Sequence, residues 1–346
     1  MRTAIGGCYD AAVVPCVDVR LARLNERKPP VSPTKTARSL DTLPTWAYKV
    51  LVIIATMIWG GSFVVMKDVV GVLQPAWLLG IRFTLAGLIL LAILHRRVAC
   101  GFCLRTLGAG MLLGLFDFSA FLTQTVGLQH TMPGINAFLT ATYCVIVPFV
   151  WWIVARRRPS VFNVGAALLA VVGIWLVSVS GSGEGLHIGF GEVMTLVGAL
   201  MFAVHIVFVS KFSRFADALV LTVIQFITEG LCGLSVGALT EAAPVLSVFT
   251  PVVIAQMAFL VLFASIFAFG AQNLALAHVP PTQASLLLSL ESVFGVIFSV
   301  MLYGEQVTPR LLLGFVLIFA AITVSEVFPL KKKQPPATEA NLPAGD

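Results

Sequence analysis

Four ionisable side chains, Arg82, Asp117, Glu229 and Glu291, stand inside long apolar runs of the chain. A charge at the centre of a bilayer costs roughly 2.5–3.5 kcal/mol on insertion scales, so each needs a reason to be there. The reasons on offer are proton transfer, binding of a charged solute, or pairing with another buried group. Asp117 sits about 11 residues into its run and Glu291 about 9 into its own, which at 1.5 Å per residue sets both near mid-depth. These two are the proton-coupling candidates. Arg82 and Glu229 are candidates for a structural ion pair, although Arg82 is close enough to its span end to snorkel and Glu229 could instead face the cavity. Asp117, Phe121 and Gln124 are spaced i, i+4, i+7, one face of one helix. Phe269 and Gln272, with Asn273 beside them, form a second polar-aromatic stripe. Together the stripes suit the lining of a cavity for a small solute. Trp59 and Tyr143 add faces for stacking on a cation, and His205 adds a polar group. The plainer reading of the amides is hydrogen bonding between helices, which also uses such residues in membranes.

The surrounding sequence dictates the elements that hold these groups. Of 346 residues, 58% are hydrophobic and 11% are charged. A soluble domain carries about 25% charged residues, so this chain cannot clothe a water-facing surface. About 20 apolar residues span a bilayer as a helix. Such runs occur at 48–66, 76–95, 106–128, 134–154, 163–180, 189–209, 218–239, 252–276, 282–303 and 310–328. The expected fold is an all-α integral membrane protein of ten transmembrane helices. All of the 22 Lys and Arg residues except Lys67, Arg82 and Arg310 then fall on one side. That side is cytoplasmic by the positive-inside rule, which puts both termini in the cytoplasm of an inner- or plasma-membrane protein. Residues 1–45 and 329–346 read as disordered cytoplasmic tails. Residues 1–45 lack the unbroken apolar core of a secretory signal and the acid-poor composition of a transit peptide.

The six cysteines include Cys100-Gly-Phe-Cys103. A structural zinc site needs four ligands and no second pair lies nearby, so these read as free thiols in a cytoplasmic loop. No metal and no cofactor are expected.

Shifting the chain by 148 residues lays 113–139 on 261–287, so that Phe121 meets Phe269, Gln124 meets Gln272 and Pro133 meets Pro281. A shift of 143 lays Ile-Arg-Phe (81–83) on Ile-Gln-Phe (224–226). Near-constant offsets indicate duplication: a first repeat at 46–180, a linker at 181–188 and a second repeat at 189–328. Each repeat holds five spans. Five is odd, so the halves cross the membrane in opposite senses, and inverted repeats are the mark of secondary transporters. The small-xxx-small pairs Gly110/Gly114 and Gly233/Gly237 read as packing within the bundle.

The chain resembles the drug/metabolite transporter superfamily in its ten-helix EamA-like group. The resemblance rests on Trp59-Gly60-Gly61-Ser62-Phe63 with Lys67, on Arg82-Phe83, and on Leu290-Glu291 followed by Gly304-Glu305 and Gly314. It spans about 48–328. The chain departs from the pattern at Ser292, where proline is usual, and at Ala320-Ala321, where glycine is common. The resemblance implies a transporter of small organic solutes, with export of amino acids or related metabolites as the leading expectation, and it marks Glu291 as part of the family pattern.

No Gly-x-x-x-x-Gly-Lys-Ser/Thr phosphate cradle is present, so direct ATP coupling has no seat, and no His-Glu-x-x-His occurs. The expected partners are a small-molecule substrate and the lipid bilayer, without nucleic acid, in a monomer or weak homodimer. The competing readings are a membrane-embedded enzyme on a small or lipid-linked substrate, and a non-transporting scaffold or sensor. The first would need catalytic groups converging at one interface. The second would tolerate apolar replacement of its mid-membrane polar residues.

Overall fold

A computed structural model describes residues 44–156, 158–181, 189–213, 215–272 and 287–328. The expected Asn273, the 181–188 linker from residue 182 onward, and both tails lie outside the described residues, save Pro44 and the first residue or two of helix α1. Eleven helices follow in order: α1 Thr45–Val70, α2 Pro75–Gly101, α3 Leu104–His130, α4 Pro133–Ala141, α5 Tyr143–Ala155 and α6 Val161–Gly181, then α7 Phe190–Phe212, α8 Ala218–Thr240, α9 Pro251–Phe259, α10 Leu290–Phe298 and α11 Pro309–Val327. Helix α9 continues as a π-helix over Leu260–Phe267, and α10 as a π-turn over Ser299–Tyr303. Counting α4–α5 as one span, seven helices among the described residues are long and apolar enough to cross a membrane. Three shorter apolar helices, Val161–Val177, Leu290–Tyr303 and Pro309–Ser325, bring the total to the ten anticipated.

The fourth span of each half is interrupted. Thr142 separates α4 from α5, donating its hydroxyl to Leu139 O at 2.6 Å and its N–H to the same carbonyl at 3.2 Å. Ser292 does the same to Ser289 O, through Oγ at 2.8 Å and N at 3.3 Å. In both, an i−3 bond replaces the i−4 bond and tightens one turn. The π-turn after α10 ends on Gly304 at φ 68°, a left-handed conformation that glycine adopts without steric cost.

The halves meet helix on counterpart helix. Helix α2 crosses α8 where glycines remove both side chains: a Cβ on Gly233 would stand 2.5 Å from Gly80 N. Helix α6 crosses α11 in the same way, with Gly173 against the Gly314 carbonyl at 3.0 Å and Gly314 against the Gly173 carbonyl at 3.0 Å. Lipid tails are as apolar as leucine, so such close backbone approach supplies the association energy through dispersion. Gly110 packs on Ile224, Gly114 on Thr228 and Gly237 on Trp77, all within the bundle. Two apolar cores result. One gathers Phe83, Phe118, Phe226 and Leu260 around the α2–α8 crossing, and the other gathers Phe138, Val145, Phe315 and Ile318 around α6–α11.

The expectation of free thiols at Cys100 and Cys103 is corrected: each of them is disulfide-bonded. Gly101 ends α2 and Cys103 is the N-cap of α3.

Candidate functional site

The buried charges converge at the level of the α2–α8 crossing. Arg82 is 1% exposed, Asp117 1% and Glu229 0%. Arg82 comes from α2, Asp117 from the middle of α3, Glu229 from the middle of α8 and His205 from α7. Arg82 Nε donates to Ser265 Oγ at 2.9 Å, and its guanidinium lies over the Phe83 and Phe121 rings at 4.8 and 5.3 Å. Gln225 Nε2 donates to Asp117 Oδ2 at 2.6 Å. His205 presents Nδ1 to Asp117 Oδ1 at 3.6 Å and Nε2 to Gln225 Oε1 at 3.2 Å.

The π-helix in α9 places Ser265 at this point. Its extra residue per turn lets Ser265 Oγ bond the carbonyl of Leu260, five residues back, at 3.0 Å while accepting from Arg82. The widened turn also frees Ala264 O, which accepts from Trp59 Nε1 at 2.8 Å. Trp59 is therefore fixed by a hydrogen bond as well as by its edge contact with Phe269 at 5.5 Å.

An aromatic belt runs through the site: Trp59–Phe269–Phe226–Phe83–Phe121–Phe202, with centroid separations between 5.0 and 5.5 Å, and Tyr143 beyond Phe202 at 6.4 Å. The belt is symmetric under the sequence repeat. Shifts of 143 and 148 turn Trp59 into Phe202, Phe83 into Phe226 and Phe121 into Phe269. The same shifts turn Arg82 into Gln225 and Asp117 into Ser265, so the Arg82–Ser265 and Gln225–Asp117 hydrogen bonds are images of one another. Each joins one half to the other.

Of the residues singled out from sequence, Trp59, Arg82, Asp117, Phe121, His205, Glu229 and Phe269 come together here. Arg82 and Glu229 make no direct ion pair: Arg82 turns to Ser265, and neither Glu229 oxygen has a hydrogen-bond partner. Gln124 is taken up elsewhere, donating to Thr140 Oγ1 at 2.9 Å on α4. Gln272 is half-buried at the end of the described part of the α9 span. Glu291 is buried one turn before Gly295, where α10 lies on Ala137 of α4, and none of the cluster's charges acts on it. Sequence reasoning passed over Gln225, Phe202 and Phe226, which the 143-residue shift marks as counterparts of Arg82, Trp59 and Phe83.

It also passed over three ties at the end of the bundle where α1 finishes. Lys67 Nζ donates to the carbonyls of Leu128, Gln129 and Thr131 at 2.6, 3.0 and 2.8 Å, closing the C-terminus of α3. Glu241 accepts from the Ala76 and Trp77 N–H groups at 2.9 and 3.1 Å, closing the N-terminus of α2 from the other half. Glu305 accepts from Gly134 N–H at 2.9 Å and from Ser299 Oγ, closing the N-terminus of α4. Carboxylates at helix N-termini and a cation at a C-terminus each complement the helix dipole. Burial pushes the Glu305 carboxyl above the ordinary glutamate range, against the pull of hydrogen bonds from Ser299, Gly134 and Ile135.

Two cavities lie outside the cluster. A 630 Å³ groove between α2, α3 and α8 is lined mostly by apolar residues such as Leu91, Phe102, Met111 and Leu231, with Thr228 and Ser235 as its hydroxyl groups. A 220 Å³ pocket beside Lys67, His130 and Glu192 is polar, but Lys67 is already committed to three carbonyls.

The sequence matches the EamA-like transporter family twice, over residues 46–179 and 189–326. The chain belongs to the EamA-like transporter family. It is 29% identical over 273 residues to an uncharacterized transporter of Archaeoglobus fulgidus, covering 79% of this chain and 83% of that one. It is 24% identical over 293 residues to an S-adenosylmethionine/S-adenosylhomocysteine transporter of Chlamydia muridarum, covering 80% and 92%. A protein of known crystal structure superposes with a TM-score of 0.56 at 17% identity, over 81% of this chain and 96% of that chain, a likeness of fold alone. The protein is thus a multi-pass membrane transporter built from two repeats.

Proposed function

We propose that the protein is a secondary transporter that carries a small organic metabolite by alternating access between its two five-span halves, and that amino acids or related metabolites are exported as its cargo. The observation that carries this reading is the buried cluster at the α2–α8 crossing. Its polar groups come from both halves, its aromatic belt obeys their pseudo-symmetry, and it lies at the depth where inverted-repeat transporters hold their cargo. Aromatic faces beside acids and an arginine suit a zwitterion with an apolar or aromatic body: the acids take the ammonium and Arg82 takes the carboxylate. The Chlamydia relative, named for amino-acid derivatives, is consistent with that class.

In this reading both termini face the cytoplasm of an inner or plasma membrane, the protein acts without catalysing a reaction, and a proton on Asp117 or Glu291 is the coupling ion. Counterflow in proteoliposomes tests the transport itself. Purified protein is loaded with a concentrated unlabelled amino-acid mixture, and the same mixture is supplied outside at labelled trace. Transient accumulation above protein-free liposomes is the expected result. Its absence with folded, inserted protein refutes the cargo class.

A further inference from the structure

The central cluster contains more acid than it can balance. Glu229 is fully buried and neither of its carboxyl oxygens has a hydrogen-bond partner. An ionised carboxylate there pays the desolvation cost of burial, offset only by the nearby Arg82 charge and by Gln225. The groups facing it are known from every helix around it. Helix α2 brings Arg82 and α3 brings Asp117, with Gln225 on the helix of Glu229 itself, while His205 of α7 stands against Asp117 and the neutral Ser265 of the π-segment against Arg82. Asp117 and Arg82 are the two charges that act on Glu229. Arginine stays protonated in proteins, so with His205 neutral two carboxylates against one guanidinium leave the cluster one negative charge in excess. Asp117, equally buried, is the better hydrogen-bonded acid, accepting from Gln225 Nε2 at 2.6 Å. His205 faces it at 3.6 Å, beyond hydrogen-bond distance.

We propose that Asp117 and Glu229 together hold one exchangeable proton, seated on Glu229 and balanced against Arg82, and that this pair rather than Glu291 is the transporter's proton-coupling site. The step balances simply: the Glu229 O–H bond breaks heterolytically, the electron pair stays on the carboxylate, and the proton leaves to water on the open side. A cationic group of the cargo entering beside the two carboxylates takes over the charge that the proton supplied. Glu291 lacks such a partner set, since none of the cluster's charges acts on it. The coupling part of the proposal rests on the transport reading above. The proton-holding part does not.

The test uses the full chain in proteoliposomes and reads the infrared C=O stretch of protonated carboxyls at neutral pH. Wild type should show a band that Glu229→Gln removes and Glu291→Gln leaves in place. Asp117→Asn should also remove it, because Arg82 then has Glu229 as its sole counter-ion and Glu229 ionises. An isolated buried acid would keep its band in Asp117→Asn, which overturns the shared-proton arrangement. If Glu229→Gln fails to fold, Asp117→Asn alone carries the decision. In parallel, Glu229→Gln should abolish the dependence of labelled amino-acid accumulation on an imposed pH gradient, whatever counterflow it keeps. Gradient-driven accumulation that survives in Glu229→Gln overturns the coupling assignment. Absence of wild-type counterflow would instead refute the amino-acid cargo, leaving the infrared bands to decide the proton.

Discussion

The close backbone approach of Gly233 to Gly80 is a steric statement that one methyl group can test. In Gly233→Ala, the new Cβ would lie 2.5 Å from Gly80 N and 2.6 Å from Gly80 Cα, and ordinary contact begins at 3.4 Å. Both neighbours are backbone atoms of α2, so no side chain can swing aside, and α2 and α8 must separate by about 0.9 Å (from 2.5 to 3.4 Å). Overpacking of this kind costs ~1–3 kcal/mol. Alanine also gains ~0.5–1 kcal/mol over glycine inside a helix, and a control removes that contribution. Gly108 and Gly165 are helical glycines whose added Cβ meets nothing within 4 Å. Gly108→Ala and Gly165→Ala should therefore keep the propensity gain alone. Stability measured by reversible unfolding in mixed micelles should place Gly233→Ala below the two controls by ~1–3 kcal/mol. Gly233 is one turn beyond Glu229 on the same helix face. The displacement should also widen the charged cluster and lower counterflow, whereas the controls transport like wild type. Equal stability and transport in all three variants would refute the close crossing and the placement of the site beside it.

Lys67→Met removes a cation from three carbonyls at the end of α3 and should cost ~1–3 kcal/mol in the same assay, since bonds to charged groups exceed neutral ones. Faster amide exchange at residues 131–136 would accompany it. For Glu305, a folded-state carboxyl held above its ordinary value favours the protein fully at low pH, and that contribution is lost as pH rises from the ordinary glutamate range near ~4.3 through the raised value. Glu305→Gln should flatten that part of the stability–pH profile, and an unchanged slope would exclude Glu305 as its source. Arg82→Gln and Gln225→Arg each alter the buried charge by one and should each cost ~3–5 kcal/mol. Combined, they exchange two repeat-related positions and restore the charge, so the double variant should be markedly more stable than the sum of the singles in a double-mutant cycle.

The ten spans and the duplication were legible because apolar run length and repeat offset are properties of the chain itself. The convergence of Arg82, Asp117 and Glu229 was not. A single span fixes depth and face, but which faces meet depends on glycine crossings between distant helices, such as Gly80 on Gly233. Gln124 shows the limit clearly: it shares a helix face with Asp117, yet Thr140 on the next helix claims it. The direct Arg82–Glu229 pair failed for a related reason. The π-helix that delivers Ser265 to Arg82 has no sequence signature, so the competing acceptor was invisible. The oxidised state of Cys100 and Cys103 likewise depends on where the fold brings thiols together, which spacing alone does not state.

The site obeys its two-fold symmetry in shape and breaks it in charge. Trp59 and Phe202, Phe83 and Phe226, and Phe121 and Phe269 are matched rings, and two cross-half hydrogen bonds map onto each other. The charges are unmatched: Arg82 faces Gln225 across the repeat, Asp117 faces Ser265, and Glu229 faces Ala86. In an exchange of conformations between inverted halves, matched apolar surfaces repack at similar cost in either orientation, which keeps both states accessible. A matched set of charges would have the same surroundings in both states, and a ligand without differential affinity shifts no equilibrium. Placing the acids and the arginine at positions whose repeat counterparts are uncharged gives their proton a different environment in each state. In the proposed mechanism, the symmetric belt allows the movement, and the asymmetric charges give it a direction.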